Sequence, residues 1–354
     1  MIGTDDSQSE KDQFAEVVES YYLETREKLF FAVKGLEHPP DRWIAVLRYA
    51  PVSSTTERSK DGIFYRRFYH FDEQEVWIRS AFPQYLSYDS IFRIELQSVP
   101  RADVVRIYDP RRRLRDLTSI PAVSKIEVDV RDFMMLLQNE SKVPLSALGI
   151  TGSLLAELHT ENSDLDVVAF GEENCRKVHR ALRRILDSGS SRELNPLDEK
   201  SMQDLYAQRV ADTPMAFGEF TRLETRKVNQ GVFRERPYFI RFIKDIQEAN
   251  AVYGNFLYTP LGRVSITATI TDDQDSIFTP CRYAITNVNI TEGAVESDLR
   301  EIVSFRGRFC EQAKAGESVC ASGTLERLET RQGQTLHRLL LGNHPGDTLV
   351  SSRH

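Results

Sequence analysis

Apolar residues recur along this chain in three textures, and each texture predicts a different kind of element. Near the start, Phe14, Val17, Val18, Tyr21 and Tyr22 fall at helical spacing, so a helix is expected over 14–29, after a polar opening of about ten residues. Two β-type runs follow, 28–34 and 42–49, joined by the turn-rich Gly35-Leu-Glu-His-Pro-Pro-Asp41, which predicts an antiparallel hairpin. Another strand is expected over 62–69. Residues 1–125 therefore read as an α+β domain with a prominent antiparallel sheet.

The middle of the chain alternates between helical and strand periodicity. Phe133, Leu136 and Leu137 begin a helical pattern, and Cys175, Val178, Leu182 and Ile185 define an amphipathic helix that Gly189 stops. A further helix is expected over 198–210 and a strand over 238–243, giving an α/β layer across 126–253. Beyond Gly262 the texture becomes short strands separated by polar turns, at 263–270, 283–288, 301–306, 318–322 and 337–341. That spacing predicts a small closed β-barrel over 254–354, compatible with an OB-like barrel and with other small barrels. The fold class expected is thus α+β and multidomain.

Composition narrows the options. The chain has 354 residues, 40% hydrophobic and 28% charged, with a formal net charge of -7. This describes an ordinary globular protein of two or three domains and argues against a generally cationic nucleic-acid binder. The polar, acidic N-terminus has no apolar signal core, and no stretch approaches the roughly 20 apolar residues that span a bilayer. A cytoplasmic protein with no membrane partner is expected. The four cysteines, Cys175, Cys281, Cys310 and Cys320, lack metal-site spacing and read as small buried hydrophobes, although Cys310 and Cys320 can also be placed across a hairpin. The cluster Arg111-Arg-Arg-Leu-Arg115 reads either as a phosphate grip or as the solvated start of a helix near Asp116.

One stretch carries identifiable chemistry. An apolar run ends in Thr151-Gly152-Ser153, ten residues follow, and Asp164-Leu165-Asp166 opens a second apolar run. Side chains alternate along a strand, so Asp164 and Asp166 share a face while Leu165 turns to the core. Two neighbouring carboxylates repel unless a cation lies between them, and hard oxygen ligands suit magnesium. Gly152 lets backbone approach a phosphate, and Ser153 adds a hydroxyl where a helix begins.

With its strand-helix-strand context, residues 148–171 resemble the signature of the polymerase β-type nucleotidyltransferase superfamily. A longer likeness, to uncharacterised archaeal predicted nucleotidyltransferases, rests on Glu24-Thr-Arg-Glu-Lys-Leu-Phe-Phe-Ala-Val33, Glu37-His-Pro39, Leu47-Arg-Tyr-Ala-Pro51 and Phe239-Ile-Arg-Phe-Ile-Lys-Asp245. The resemblance implies that Gly152 and Ser153 contact a nucleoside triphosphate and that Asp164 and Asp166 bind two magnesium ions. It also implies a third carboxylate on a later strand. The expected strand, 238–243, carries Arg241 at its centre, so Asp245 is the candidate, with Glu235 as the other nearby acid. The basic segment 222–244 adds Lys227 and Arg234 as candidate nucleotide ligands, a solvated surface loop being the equal alternative. The expected activity is transfer of a nucleoside monophosphate from a triphosphate to a hydroxyl, with RNA as a compatible acceptor through the barrel. The alternative is a nucleotide- or RNA-binding protein that keeps the fold without turnover.

Overall fold

In the computed structural model, which describes residues 17–122, 124–189, 191–211, 214–293 and 299–351, the chain is mixed α+β with several sheets and multiple domains. The first sheet contains β1 (Tyr22–Thr25), β2 (Phe30–Val33), β3 (Arg42–Val52), β4 (Ser59–Lys60), β5 (Ile63–Arg67), β6 (Leu86–Asp89), β7 (Ile94–Pro100) and β8 (Val104–Tyr108), with helix α1 (Phe71–Ala81) between β5 and β6. Its main path runs β4-β5-β3-β2-β1-β8, and β7 pairs with β3. The helix expected over 14–29 is not there. Residues 14–16 lie outside the described residues, and 22–25 form β1. A few closely spaced apolar residues fit either period. Alternation decides the outcome: Leu23, Phe31 and Val33 enter one core, while Tyr22, Phe30 and Ala32 enter another on the opposite face.

A bulge breaks this regularity. Phe30 pairs with Tyr49 but Phe31 with Leu47, which leaves Arg48 as an extra residue on β3.

The central layer begins with α2 (Pro110–Ser119) and α3 (Lys125–Ser141), followed by β9 (Leu148–Ile150), α4 (Gly152–Ala156), β10 (Leu165–Phe170), α5 (Glu172–Ser188), β11 (Leu194–Asn195), α6 (Glu199–Arg209), α7 (Phe217–Glu224), β12 (Gln230–Phe233), β13 (Arg236–Ile243) and α8 (Ile246–Ala249). The strand order is β11-β12-β13-β10-β9, with β13 parallel to β10 and β9 antiparallel to it. Leu165, Val167 and Ala169 of β10 share a core with Val130, Phe133, Val178 and Leu182, so α3 and α5 cover that face. The arginine cluster starts α2, which Asp109 caps by accepting from the Arg111 amide at 2.8 Å, and not a helix near Asp116. Leu114 and Leu117 carry α2 into the central core, where a Cβ on Gly149 would lie 2.7 Å from the Cβ of Pro110. The basic segment is partly the hairpin β12–β13 and is no simple surface loop.

The last sheet comprises β14 (Phe256–Asp272), β15 (Cys281–Glu292), β16 (Leu299–Ser304), β17 (Ser318–Thr330), β18 (Thr335–Leu341) and β19 (Thr348–Ser351). Its order is β14-β15-β16-β18-β17-β19, and a further β14–β17 pairing closes a five-membered ring around Ile266, Tyr283, Ile302 and Leu339. The ring joins the central layer through Phe278, which bridges to Phe242, and through the Thr279 amide, which donates to the Phe242 carbonyl at 2.9 Å. Cys175, Cys281 and Cys310 are buried as expected, whereas Cys320 is exposed because its position on β17 faces outward. Cys310 lies against Cys281 and not across from Cys320. Among the described residues no helix is long and apolar enough to cross a membrane.

Candidate functional site

The Gly-Ser and Asp-Leu-Asp segments meet in space. The Thr151 amide donates to the Asp166 carbonyl at 2.9 Å, so the turn into α4 is fastened to the first residues of β10. Gly152 has φ +64°, and a Cβ there would lie 2.2 Å from Oδ2 of Asp166. The space a side chain would need is thus taken by the carboxylate. The other side of the turn is also fixed: the Thr151 hydroxyl donates to the Ser20 carbonyl at 2.7 Å, tying α4 to the chain entering β1.

Asp164 precedes β10 at the end of a turn in which the Ser163 hydroxyl accepts from the Thr160 amide at 2.9 Å. Arg236 holds that turn from β13 by donating to the carbonyls of Glu161 and Ser163. Alternation along β10 puts Asp166 on the face opposite the α3–α5 core, the face from which Val168 and Phe170 pack against Val17, Val18 and Tyr21. Neither aspartate side chain, nor the Ser153 hydroxyl, makes a hydrogen bond or ion pair to the described residues. Asp164 is exposed at the surface, yet desolvation by the protein crowded around its carboxyl, followed by the neighbouring charge of Asp166, pushes that carboxyl up to about 6, against the opposing pull of Arg67, Arg236 and Arg58. A pair of neighbouring carboxylates with no cationic partner is a site short of positive charge.

Cations surround the pair without touching it. Arg67 on β5 lies over the Tyr69 ring at 4.4 Å and makes no hydrogen bond or ion pair among the described residues. Arg48, the bulge residue, donates to the Phe68 carbonyl at 3.5 Å. Deeper in, buried Glu19 accepts from Lys34 at 2.9 Å and lies 3.7 Å from Arg241. Burial opposes its ionisation, yet Lys34 and Arg241 hold it below the usual carboxylate range. Burial also brings Lys34 down to about 8. The barrel reaches the same spot, since a Cβ on Gly307 would lie 2.5 Å from Cζ of Phe239 and 3.6 Å from Nη1 of Arg241.

The remaining candidates lie elsewhere. Asp245 caps α8 in a capping box with Glu248 and lies 3.6 Å from Arg111. Asp166 is level with Phe239, so Asp245 stands six residues further along the chain, two past the end of β13 and about 20 Å away at strand rise. It is at the wrong end of the strand to share a metal with Asp164 and Asp166. No acid occupies β13, and Glu235 sits in the tight turn before it, with φ +78°. Lys227 is buried, donating to Glu224 at 2.7 Å and to the Arg308 carbonyl at 2.6 Å. Arg234 turns to α3 and β11, pairing with Asp132 and Glu193 at 2.7 Å each. Two other basic residues of 222–244 are spent on contacts between units, Arg226 with Glu317 and Lys244 with Asp275, each at 2.8 Å, and Arg236 pairs with Asp129 of α3 at 3.3 Å. Gly152, Ser153, Asp164 and Asp166 are brought together; Asp245, Lys227 and Arg234 are not.

Among the described residues no group of three or more His, Cys, Asp or Glu is arranged to hold a metal ion. The donor set still fits magnesium in part, because that ion is commonly held by one or two carboxylates and completed by water and substrate phosphates. Sequence reasoning missed Arg48 and Arg67. Their only signal was a cation near buried aromatics, Arg48 beside Tyr49 and Arg67 two residues after Tyr65.

Two cavities lie away from the carboxylates. One of about 950 Å³ opens between the first sheet, α8 and the barrel, with Trp43, Arg101, Ile246 and Phe256 in its walls. The other, of about 420 Å³, separates α5 from the barrel and includes Arg180, Arg183 and Lys314. Neither contains a pair of unpartnered carboxylates.

The chain is similar to an uncharacterised protein of the archaeon Methanocaldococcus jannaschii, with 28% identity over 329 residues, covering 91% of this chain and 94% of that protein. This agrees with the expected likeness to uncharacterised archaeal proteins. No protein-family model matches the chain. No solved structure matches it.

Proposed function

We propose that the protein is a magnesium-dependent nucleotidyltransferase that moves a nucleoside monophosphate from a triphosphate to a hydroxyl acceptor. The observation that carries this reading is the placement of Asp166 on β10 directly against Gly152 of the turn into α4, with Asp164 two residues earlier at the entry to the strand and both carboxylates unpartnered among the described residues. The order β9-α4-β10-α5-β13, with the Gly-Ser turn between β9 and β10, supports a polymerase β-like layer. Magnesium bound by the two aspartates would offset their repulsion and the charge of the phosphates. The chain's own residues hold the arrangement: Arg236 fixes the turn that delivers Asp164, the Thr151 amide fixes Asp166, and the free Ser153 hydroxyl remains available to a phosphate oxygen. In the transfer, the acceptor oxygen bonds to the α-phosphorus as the bond to the β-phosphate breaks, releasing pyrophosphate and a proton.

An RNA acceptor is supported by the barrel. A five-stranded ring in which the third strand, β16, lies parallel to the fifth, β18, suits an OB-like module, a fold used for oligonucleotides. One observation favours a second reading, a nucleotide binder without turnover: Arg241 stands on β13, where a third carboxylate belongs. Incubation with magnesium and each labelled nucleoside triphosphate, in the presence of cellular RNA and protein, separates the two. Label transfer that is lost in Asp164→Ala and Asp166→Ala is expected. Metal-dependent nucleotide binding without transfer would select the second reading, and absence of binding would reject both.

A further inference from the structure

We infer that the first sheet supplies the phosphate-binding half of the site, with Arg67 and Arg48 gripping the phosphates of the metal-bound substrate. This rests on the reading of Asp164 and Asp166 as a nucleotide-metal pair. Arg67 lies two residues from Tyr65 on β5 and opposite Tyr49 on β3. Tyr49 and Tyr65 belong to the face of the sheet that packs on Leu155 and Ala156 of α4, so alternation sends Arg67 out of that same face. Arg48 is the extra residue of the bulge, and bulges re-aim side chains. Together the two guanidiniums stand on the sheet that lies over the Gly-Ser turn.

Two further features point to a ligand. Arg67 stands opposite Tyr49 and lies over the Tyr69 ring at 4.4 Å, yet it forms no ion pair with either aspartate. A cation whose role was to neutralise the carboxylates would close onto them. One that stands off leaves a layered gap, carboxylates on one side and guanidinium on the other, and that is the charge order of a metal cation followed by phosphate anions. The candidates expected from sequence for this task, Lys227 and Arg234, are already committed to Glu224, Asp132 and Glu193. Arginine in particular suits the role, because its planar fork binds phosphate oxygens in pairs.

The test uses the full chain, with manganese alone as the probe of the aspartates and magnesium with inorganic tripolyphosphate as the probe of the phosphate grip. Calorimetry on Arg67→Ala and Arg48→Ala should show tripolyphosphate binding weakened about tenfold or more for each, as expected for loss of a charge-assisted hydrogen bond. Manganese binding should be unchanged or tighter. Arg67→Lys keeps the charge, loses the fork and is the variant least disposed to misfold; it should bind tripolyphosphate several-fold more weakly than wild type. Wild-type affinity in Arg67→Lys and Arg67→Ala, alongside loss of binding in Asp166→Ala, would overturn the inference and leave the metal reading standing. A wild-type protein that binds neither probe would overturn both.

Discussion

Gly152→Ala is the most direct test of how the site is assembled. The residue has φ +64°, where a side chain costs about 1–2 kcal/mol through contact with its own backbone. The new methyl would meet Oδ2, Cβ and Cγ of Asp166 at 2.2, 2.7 and 2.8 Å, well inside van der Waals contact. Rotating the carboxylate relieves the first and last of these, but the contact with Cβ remains and requires a backbone shift. Overpacking of this kind costs roughly 1–3 kcal/mol, so a total loss of about 2–4 kcal/mol is expected. Urea denaturation of Gly152→Ala should show it as a lower midpoint at unchanged slope. The same substitution in an Asp166→Ala background should cost less, by about 1 kcal/mol, because no carboxylate has to be driven off its preferred rotamer. A single variant within about 0.5 kcal/mol of wild type, or equal costs in the two backgrounds, would refute the claim that Gly152 is required by Asp166.

The pH dependence of the metal-free protein checks the carboxylate pair. The Asp164 carboxyl titrates at about 6 in the fold and near its ordinary value when unfolded, so the native state binds more protons between those limits. Stability should therefore fall as pH rises from about 4 to 6, and Asp164→Asn should flatten that slope in denaturation series at fixed ionic strength. Metal binding should run the other way, strengthening as pH rises through 6, which manganese titrations at pH 5 and 7 will read. Lys227→Ala removes one partner of a buried pair and leaves Glu224 with Arg209 and Gln230, so it should destabilise by about 3 kcal/mol in thermal unfolding. Unchanged stability with weakened nucleotide affinity would return Lys227 to the binding site.

Local pattern alone carried the sequence a long way where the period was sustained. Cys175, Val178, Leu182 and Ile185 specify α5, and the alternating runs after Gly262 specify the strands of the closed ring, because a face that must be buried repeats at 3.6 or 2 residues. The Gly-Ser and Asp-Leu-Asp pair was legible for the same reason: its two halves lie on neighbouring elements joined by ten residues. The segment around Tyr22 was misread because a few apolar residues fit both periods, and only pairing with Ala32 and Tyr108 made it a strand.

What the tertiary structure decided was the company each charge keeps. Nothing local places Asp245 some 20 Å from the aspartates; the parallel register of β10 and β13 does so, by setting Phe239 level with Asp166. Lys227 and Arg234 resemble free cations until folding brings Glu224, Asp132 and Glu193 beside them. Arg67 looks unremarkable among strand residues until its antiparallel pairing with Tyr49 sets it on the face that covers α4. Even Gly152, read as making room for a phosphate, makes room first for Asp166. Periodicity is written between neighbours along the chain. The electrostatic partner of a side chain is set by contacts tens of residues apart, which no local pattern records.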